Sequence, residues 1–229
     1  MEAVISNFDE YLTAFGLTIG LFVVSGIASL VLGTFLAVLR VGPISILNKA
    51  AALYVTLFRN TPLLMIFIFM AVAMPVLGYN FKFVENIEIA GYNVSAFFFR
   101  ACLALTLYTS AFVCEALRSG VNAVPLGQAE AGRAIGLTFS QSMQLVILPQ
   151  ATRAVIPPMT SVLIALAKNT SVAAAFGIAE ATATMRAFTN DNADQRIGIF
   201  LAFAIGYIVI VEVISLSSYF VERKVRVAR

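Results

Sequence analysis

Of the chain's 229 residues, 60% are apolar and 12% charged, and the mean hydropathy is +0.93. A water-soluble domain carries about 45–50% apolar and about 25% charged residues, so this composition excludes a soluble fold and defines an integral membrane protein. The absence of histidine excludes the common zinc sites and Ser-His-Asp triads, and the net charge of +3 matters through its placement rather than its size.

A helix crosses the hydrocarbon core with about 20 mostly apolar residues. The first predicted span covers residues 17–39 and ends at Arg40, Gly42 and Pro43. The second covers 50–77 and is interrupted by Arg59-Asn60-Thr61-Pro62; the third covers 96–117. Cys102 and Cys114 stand twelve residues apart on that third helix, about 18 Å along its axis and beyond disulfide reach. A connection over 118–153 holds no uninterrupted span. The fourth span, 155–178, is broken by Lys168-Asn169-Thr170-Ser171, and the fifth covers 197–219 before a basic tail. The expectation is a single all-α membrane domain over 1–229 with five spans. The N-terminus is acidic (Glu2, Asp9, Glu10), has no basic leader, and does not read as a cleaved signal peptide.

Basic residues set the orientation. Arg40, Lys49 and Arg59 flank the first connection, Arg118, Arg133 and Arg153 occupy the third, and Arg223, Lys224, Arg226 and Arg229 end the chain. The opposite side pairs Lys82, Arg186 and Arg196 with Glu85, Glu88, Glu180, Asp191 and Asp194. This bias predicts an outer N-terminus, a cytoplasmic third connection and a cytoplasmic C-terminus. No GxxxxGK[ST] phosphate loop and no GxGxxG turn occur, so the energy for any transport must come from an ion gradient or a partner.

The third connection reads as a hairpin. Pro125 opens a helix of good helix formers, Gly136 suits its C-cap, and Thr138 or Ser140 caps a second short helix that ends before Pro149. Glu130-Ala131-Gly132, Gly136 and Val146-Ile147-Leu148-Pro149 in this stretch resemble the signature of importer-type ABC permeases, E-A-A-x3-G-x9-I-x-L-P. Gly132 and Val146 depart from it by one small or apolar residue each. Arg59-Asn60-Thr61-Pro62-Leu63-Leu64, Tyr108-Thr109-Ser110-Ala111-Phe112-Val113-Cys114-Glu115, Leu117-Arg118-Ser119-Gly120, Gly127-Gln128 and Lys168-Asn169-Thr170-Ser171 resemble the polar-amino-acid branch. Within that branch the likeness is nearest to the permeases of actinobacterial glutamate importers.

The resemblance implies a type I importer transmembrane fold. It implies a membrane subunit that pairs with an identical or homologous permease, two cytoplasmic ATPase subunits and an extracytoplasmic amino acid binding protein, in the cell membrane. It implies no cofactor on this chain, because ATP binds the partner subunit, and no metal, intrinsic catalytic site or nucleic-acid partner. Glu130, Ala131, Gly132, Arg133, Gly136 and Pro149 would form the coupling helix and its exit, seated on the ATPase.

The interruptions supply the other candidates. Polar residues at membrane depth usually face a bundle interior or a water-filled path, so Lys168, Asn169, Thr170 and Ser171 are candidates for the substrate pathway, with Thr61 from the second span. The bland alternatives stay open: Lys168 capping carbonyls or pairing with Glu115, and Arg59 snorkelling from a bent helix. Arg59, Glu115 and Arg118 are gate or interface candidates, with an i, i+3 ion pair between Glu115 and Arg118 the plainer reading. Glu212 reads as an inner-leaflet carboxylate paired with the tail or another helix. Phe97–Phe99 with Arg100 reads as an interfacial belt and anchor. An ion-coupled secondary amino acid carrier is the competing function. It would use Lys168 and Glu212 as coupling groups but gives the hairpin no purpose.

Overall fold

The computed structural model describes residues 2–85, 88–89, 92–93 and 95–225. In chain order the helices are α1 Glu2–Ser6, α2 Phe8–Val41, α3 Ser45–Asn60, α4 Leu63–Ile68, α5 Met74–Val76, α6 Ala96–Asn122, α7 Leu126–Ala134, α8 Phe139–Ser142, α9 Leu148–Asn169, α10 Ala181–Asp191 and α11 Arg196–Val225. Two-residue strands, Glu88–Ile89 and Tyr92–Asn93, pair antiparallel before α6. Four helical stretches are long and apolar enough to cross a membrane: Phe8–Val41, Ala96–Asn122, Phe139–Phe176 and Ala193–Lys224. The fifth expected crossing is a bent pair, Ser45–Asn60 and Leu63–Val76, meeting at 101°. Pro62, which follows the hydroxyl of Thr61, cannot donate to the ladder and marks the bend.

Helix α6 is the centre of the bundle. Helix α2 seats on it through Leu21, Ser25, Ser29, Gly33 and Ala37, all buried and spaced by four. That stripe of mostly small residues lets two backbones approach where lipid supplies no hydrophobic drive. Ser29 Oγ bridges to the Thr106 carbonyl across the contact, at 3.5 Å. The bent pair runs along the same helix: Ala51 and Val55 of α3 pack with Ala111 and Cys114, while Ile66 and Phe67 of α4 pack with Ala101, Cys102 and Leu105. It therefore travels from one end of α6 to the other. A third cluster joins Val4, Phe15, Phe188, Ile199 and Phe203 at the end of the bundle that holds α1. The outward residues of α2 and α11, among them Val31, Phe35, Ile205, Ile208 and Val213, are exposed and apolar, as a lipid-facing surface requires.

Two interruptions differ from expectation. At Lys168-Asn169-Thr170-Ser171 the fourth span does not break: α9 runs through Asn169 and tightens into a 3₁₀ segment, Thr170–Phe176. The hydroxyls of Thr170 and Ser171 donate to the carbonyls of Ala167 and Lys168, each at 2.7 Å, three residues back as the tighter helix demands. Nor does the second hairpin helix end before Pro149. Helix α8 passes through a π turn, Met143–Ile147, directly into α9. A wider π turn absorbs the amide that Pro149 lacks, so helical structure continues. The same pairing recurs where the π turn Phe69–Ala73 precedes Pro75.

Arg100 is buried rather than anchored at an interface, with 7% exposure. Its Nε donates to the Ala96 carbonyl at 3.1 Å and its Nη1 to the Ala71 carbonyl at 3.5 Å. Pro75 offers no amide to that Ala71 carbonyl four residues back, and the guanidinium substitutes for it. The group also lies over the Phe97 ring, 4.4 Å from its centroid.

Candidate functional site

The hairpin is built by local chemistry. Helix α7 ends in a Schellman motif: Leu137 N–H donates to the Gly132 carbonyl at 3.0 Å and Gly136 N–H to the Arg133 carbonyl at 2.9 Å. That exit needs a left-handed residue, and Gly136 has φ +87°. Thr138 then caps α8 in a capping box with Gln141. Gln141 N–H donates to Thr138 Oγ1 at 3.3 Å, and Thr138 N–H donates to Gln141 Oε1 at 2.9 Å. Glu130, Ala131 and Arg133 face outward, whereas Gly132 is buried against Ser142. Leu126 and Ile135 flank the helix with 81% and 79% of their surfaces exposed. Neither was anticipated as a site residue, although large apolar side chains on a polar loop are the usual mark of a docking surface. Pro149 is exposed where α9 opens, beyond the π turn.

Charge gathers between α2, α3 and α6. Glu115 accepts from Arg40, lies 3.4 Å from Arg118 and 3.7 Å from Arg59. Arg59 also stacks on Phe112, 5.6 Å from the ring centroid. The i, i+3 pair of Glu115 and Arg118 is present, but Arg40, which the sequence offered only as a topology marker, is its closest partner. Three arginines thus hold the carboxylate that Lys168 would have needed, and Lys168 does not pair with it.

The polar residues at the end of α9 diverge. Asn169 lines a cleft of about 370 Å³ between α6 and α9 with Tyr108, Thr109, Phe112 and Ser161. Thr109 Oγ1 is buried there without a hydrogen-bond partner. Lys168 and Ser171 line a separate groove of about 480 Å³ with Thr182, Tyr207 and Glu212, between the end of α9, α10 and α11. Thr170 is buried between these surfaces. Successive helical residues point about 100° apart, which is why one tetrapeptide serves two cavities. Thr61 reaches neither; its hydroxyl donates to the Leu57 carbonyl at 2.8 Å and closes the last turn of α3. Among the described residues, no group of three or more His, Cys, Asp or Glu gathers as a metal site.

Glu180 was not anticipated as a site residue. It is fully buried at the N-cap of α10. Its Oε1 accepts from the Thr182 and Ala183 amides at 3.0 and 3.1 Å, and its Oε2 from the hydroxyls of Tyr207 at 3.0 Å and Thr18 at 3.4 Å. Burial pushes its carboxyl pKa upward, opposed by those four donors. Glutamate is not a usual N-cap residue, so no local signal marks it, and its partners on α2 and α11 lie 162 and 27 residues away.

These features define a multi-helix membrane protein with a folded helical hairpin on its third connection. The family described as the binding-protein-dependent transport system inner membrane component matches residues 29–227, and the chain belongs to it. The glutamate transport system permease protein GluC of Corynebacterium efficiens is 41% identical over 206 residues, spanning 87% of this chain and 86% of that protein. The glutamate/aspartate import permease protein GltJ of Escherichia coli is 35% identical over 219 residues, spanning 93% and 86%. Among solved structures, an amino acid ABC transporter crystallised with histidines superposes with a TM-score of 0.82 at 23% identity, covering 96% of each chain. The methionine ABC transporter MetNI in an inward-facing form superposes with a TM-score of 0.72 at 20% identity, covering 97% and 99%. These last two likenesses establish the fold: that of the ABC importer permeases.

Proposed function

We propose that the chain is the permease subunit of an ATP-driven importer of polar amino acids, with glutamate or a close relative as cargo. It works with two cytoplasmic ATPase subunits, a second permease and an extracytoplasmic binding protein. The observation that carries the coupling role is α7: an exposed helix, flanked by exposed Leu126 and Ile135, fixed at its exit by Gly136 and Thr138. Glu130, Ala131 and Arg133 would meet the ATPase, with Gly132 letting α7 lie close on Ser142. The basic bias of the loops supports an outer N-terminus and cytoplasmic hairpin and C-terminus.

The α6–α9 cleft and the α9–α11 groove are the candidate passages. A glutamate-like cargo brings two carboxylates and an ammonium into a low-dielectric path, where each unpaired charge costs several kcal/mol. Lys168 supplies a cation in the groove, Ser171 a hydroxyl beside it, and Asn169 with Thr109 supplies polar contacts in the cleft. Thr170, whose hydroxyl is engaged within its own helix, separates the two passages, and Thr61, which lines neither, acts at the bend of the second crossing instead. Arg59, Glu115 and Arg118, with Arg40, form the charged gate at the hairpin side. The test is uptake of labelled amino acids into vesicles holding the assembled complex. Uptake that requires ATP and the binding protein supports the proposal; uptake driven by an ion gradient without the ATPase overturns it in favour of a secondary carrier.

A further inference from the structure

At the hairpin end of the bundle, α2 and α9 part over α6. They meet further along, where a Cβ added to Gly26 of α2 would lie 3.5 Å from Leu166 Cδ2 of α9. Two close seams seal the floor below the gap. A Cβ on Gly33 of α2 would strike the Val113 side chain of α6 at 2.5 Å, and one on Gly120 of α6 would strike the Val155 side chain of α9 at 2.1 Å. What remains between the three helices is a cleft of about 330 Å³, walled by Val38 and Val41 of α2, Leu117 and Val121 of α6, and Leu148 and Thr152 of α9. Its outer edge is open, with Val38 and Leu148 exposed. It shares no lining residue with the α6–α9 cleft or the α9–α11 groove described above.

The walls decide what fits. They are hydrocarbon apart from two threonines, and the hydroxyl of Thr152 is turned back onto the Leu148 carbonyl. Water finds too few partners in such a cavity, so its occupant is apolar. The walls run from Thr34 to Val41 on α2 and from Leu148 to Val155 on α9, about 10 Å along each helix, a slot shaped for an extended hydrocarbon chain. Charge stands at the hairpin end of the slot. Arg153 follows Thr152 on the exposed edge of α9, and among the described residues no carboxylate pairs with it. Helical side chains lean toward the helix N-terminus, which for α9 is the hairpin end, so the long stem of Arg153 extends that way. Nearby, Arg40, Arg59 and Arg118 share the single carboxylate of Glu115, which leaves positive charge in excess. An apolar slot that ends beside unpaired cations complements an amphiphile with a hydrocarbon chain and an anionic head, and in a bilayer that is an anionic phospholipid.

We propose that the cleft between α2, α6 and α9 is a binding site for an anionic phospholipid: one acyl chain fills the cleft and the headgroup meets Arg153. The proposal goes beyond the importer reading and its test involves no transport, so its failure leaves that reading intact. The chain has no tryptophan, so Val38→Trp places a single fluorescent reporter at the rim of the cleft, and Val213→Trp, on the exposed apolar face of α11, is the control. The full-length chain carrying either is reconstituted in vesicles of phosphatidylcholine in which a minor share of the lipid is phosphatidylglycerol or phosphatidylcholine with brominated, quenching chains. One arginine favours an anionic lipid by about fivefold, so phosphatidylglycerol should associate with the Val38→Trp site about that much more strongly than phosphatidylcholine, while Val213→Trp should not distinguish the two. Arg153→Gln should abolish the preference, Arg153→Lys should keep it within about twofold, and Thr34→Phe, which narrows the slot, should lower quenching by both lipids. Equal quenching of Val38→Trp by the two lipids means a plain lipid-facing surface and overturns the proposal. So does a preference that survives Arg153→Gln. Val38→Trp protected from both lipids while Val213→Trp is quenched means that a second copy of the chain covers the cleft, which also overturns it. If Val38→Trp does not fold, Leu148→Trp reports from the opposite wall with the same expected outcomes.

Discussion

Gly136 offers the most direct test of the proposed coupling role of α7. A Cβ added there would meet nothing within 4 Å, so substitution costs conformation and nothing steric. Holding an L-residue in the left-handed region costs roughly 1–2 kcal/mol, with a β-branched side chain at the upper end. Asparagine tolerates that region, so the expected order of function is Gly, Asn, Ala, Val. A change of about 1–2 kcal/mol shifts the equilibrium between the Schellman exit and its alternatives by a factor of roughly 5–30. Docking on the ATPase must then restore the turn, and the apparent affinity for the ATPase falls by up to that factor. The assay is binding of the purified ATPase subunit to permease in nanodiscs, with uptake in proteoliposomes as the second readout. Native affinity in Gly136→Val, or Asn no better than Val, would refute the reasoning, since both leave the backbone conformation without influence on docking.

Lys168→Ala should lower the maximal uptake rate at saturating binding protein while leaving half-saturation unchanged; undiminished turnover would reduce this lysine to a helix-end residue. Asp191→Cys should label from outside in intact cells and Arg133→Cys only after permeabilisation, and the reverse pattern would invert the topology. Glu180 predicts a pH dependence of stability. Its folded pKa lies above the ordinary 4.5, so the native state binds the proton more tightly than the unfolded chain. That stabilisation is fully present below the ordinary glutamate value and is lost as pH rises through the raised one. The thermal midpoint should therefore fall over this window in the native protein, with Tyr207 the nearest titratable neighbour and Lys168 and Glu212 further along the groove. Glu180→Gln should flatten the slope, and an unaltered slope would place the titration elsewhere.

Much of this architecture is local and was legible. Gly136 and Thr138 specify a turn and a cap from their immediate neighbours, and the apolar runs specify helices through length alone. Pro62 announced the bend in the second crossing because it removes a donor whatever surrounds it. The charged network was only half legible: Glu115 and Arg118 are one turn apart, but Arg40 comes from 75 residues away and is joined to them by packing alone. Glu180 is illegible for the same reason, with its hydroxyl partners on two other helices. Arg100 illustrates a different limit. Beside three phenylalanines it reads as an anchor, and only the carbonyl orphaned by Pro75 explains its burial. The π turns do have a mark in the sequence: each ends two residues before a proline, Pro75 or Pro149.

The continuity of the helix through Met143–Ile147 and Pro149 makes a mechanical element of the fourth crossing. From Phe139 to Phe176 the chain is helical for 38 residues, about 57 Å at full length. At one extremity it carries the hairpin, and at the other Lys168 and Asn169, with Gly177 just beyond its end. A tilt of about 5° at the hairpin moves the far end of such a rod by about 5 Å, on the scale of an amino acid side chain. The π turn, together with Pro157 and Pro158 inside α9, marks where the rod has weakened bonding and is free to flex. On the proposed coupling role of α7, compliance at those points would set how much of a stroke delivered there arrives at the groove. A one-residue deletion within Met143–Ile147 would turn everything beyond it by about 100°, severing the geometry between the two ends while leaving each end intact.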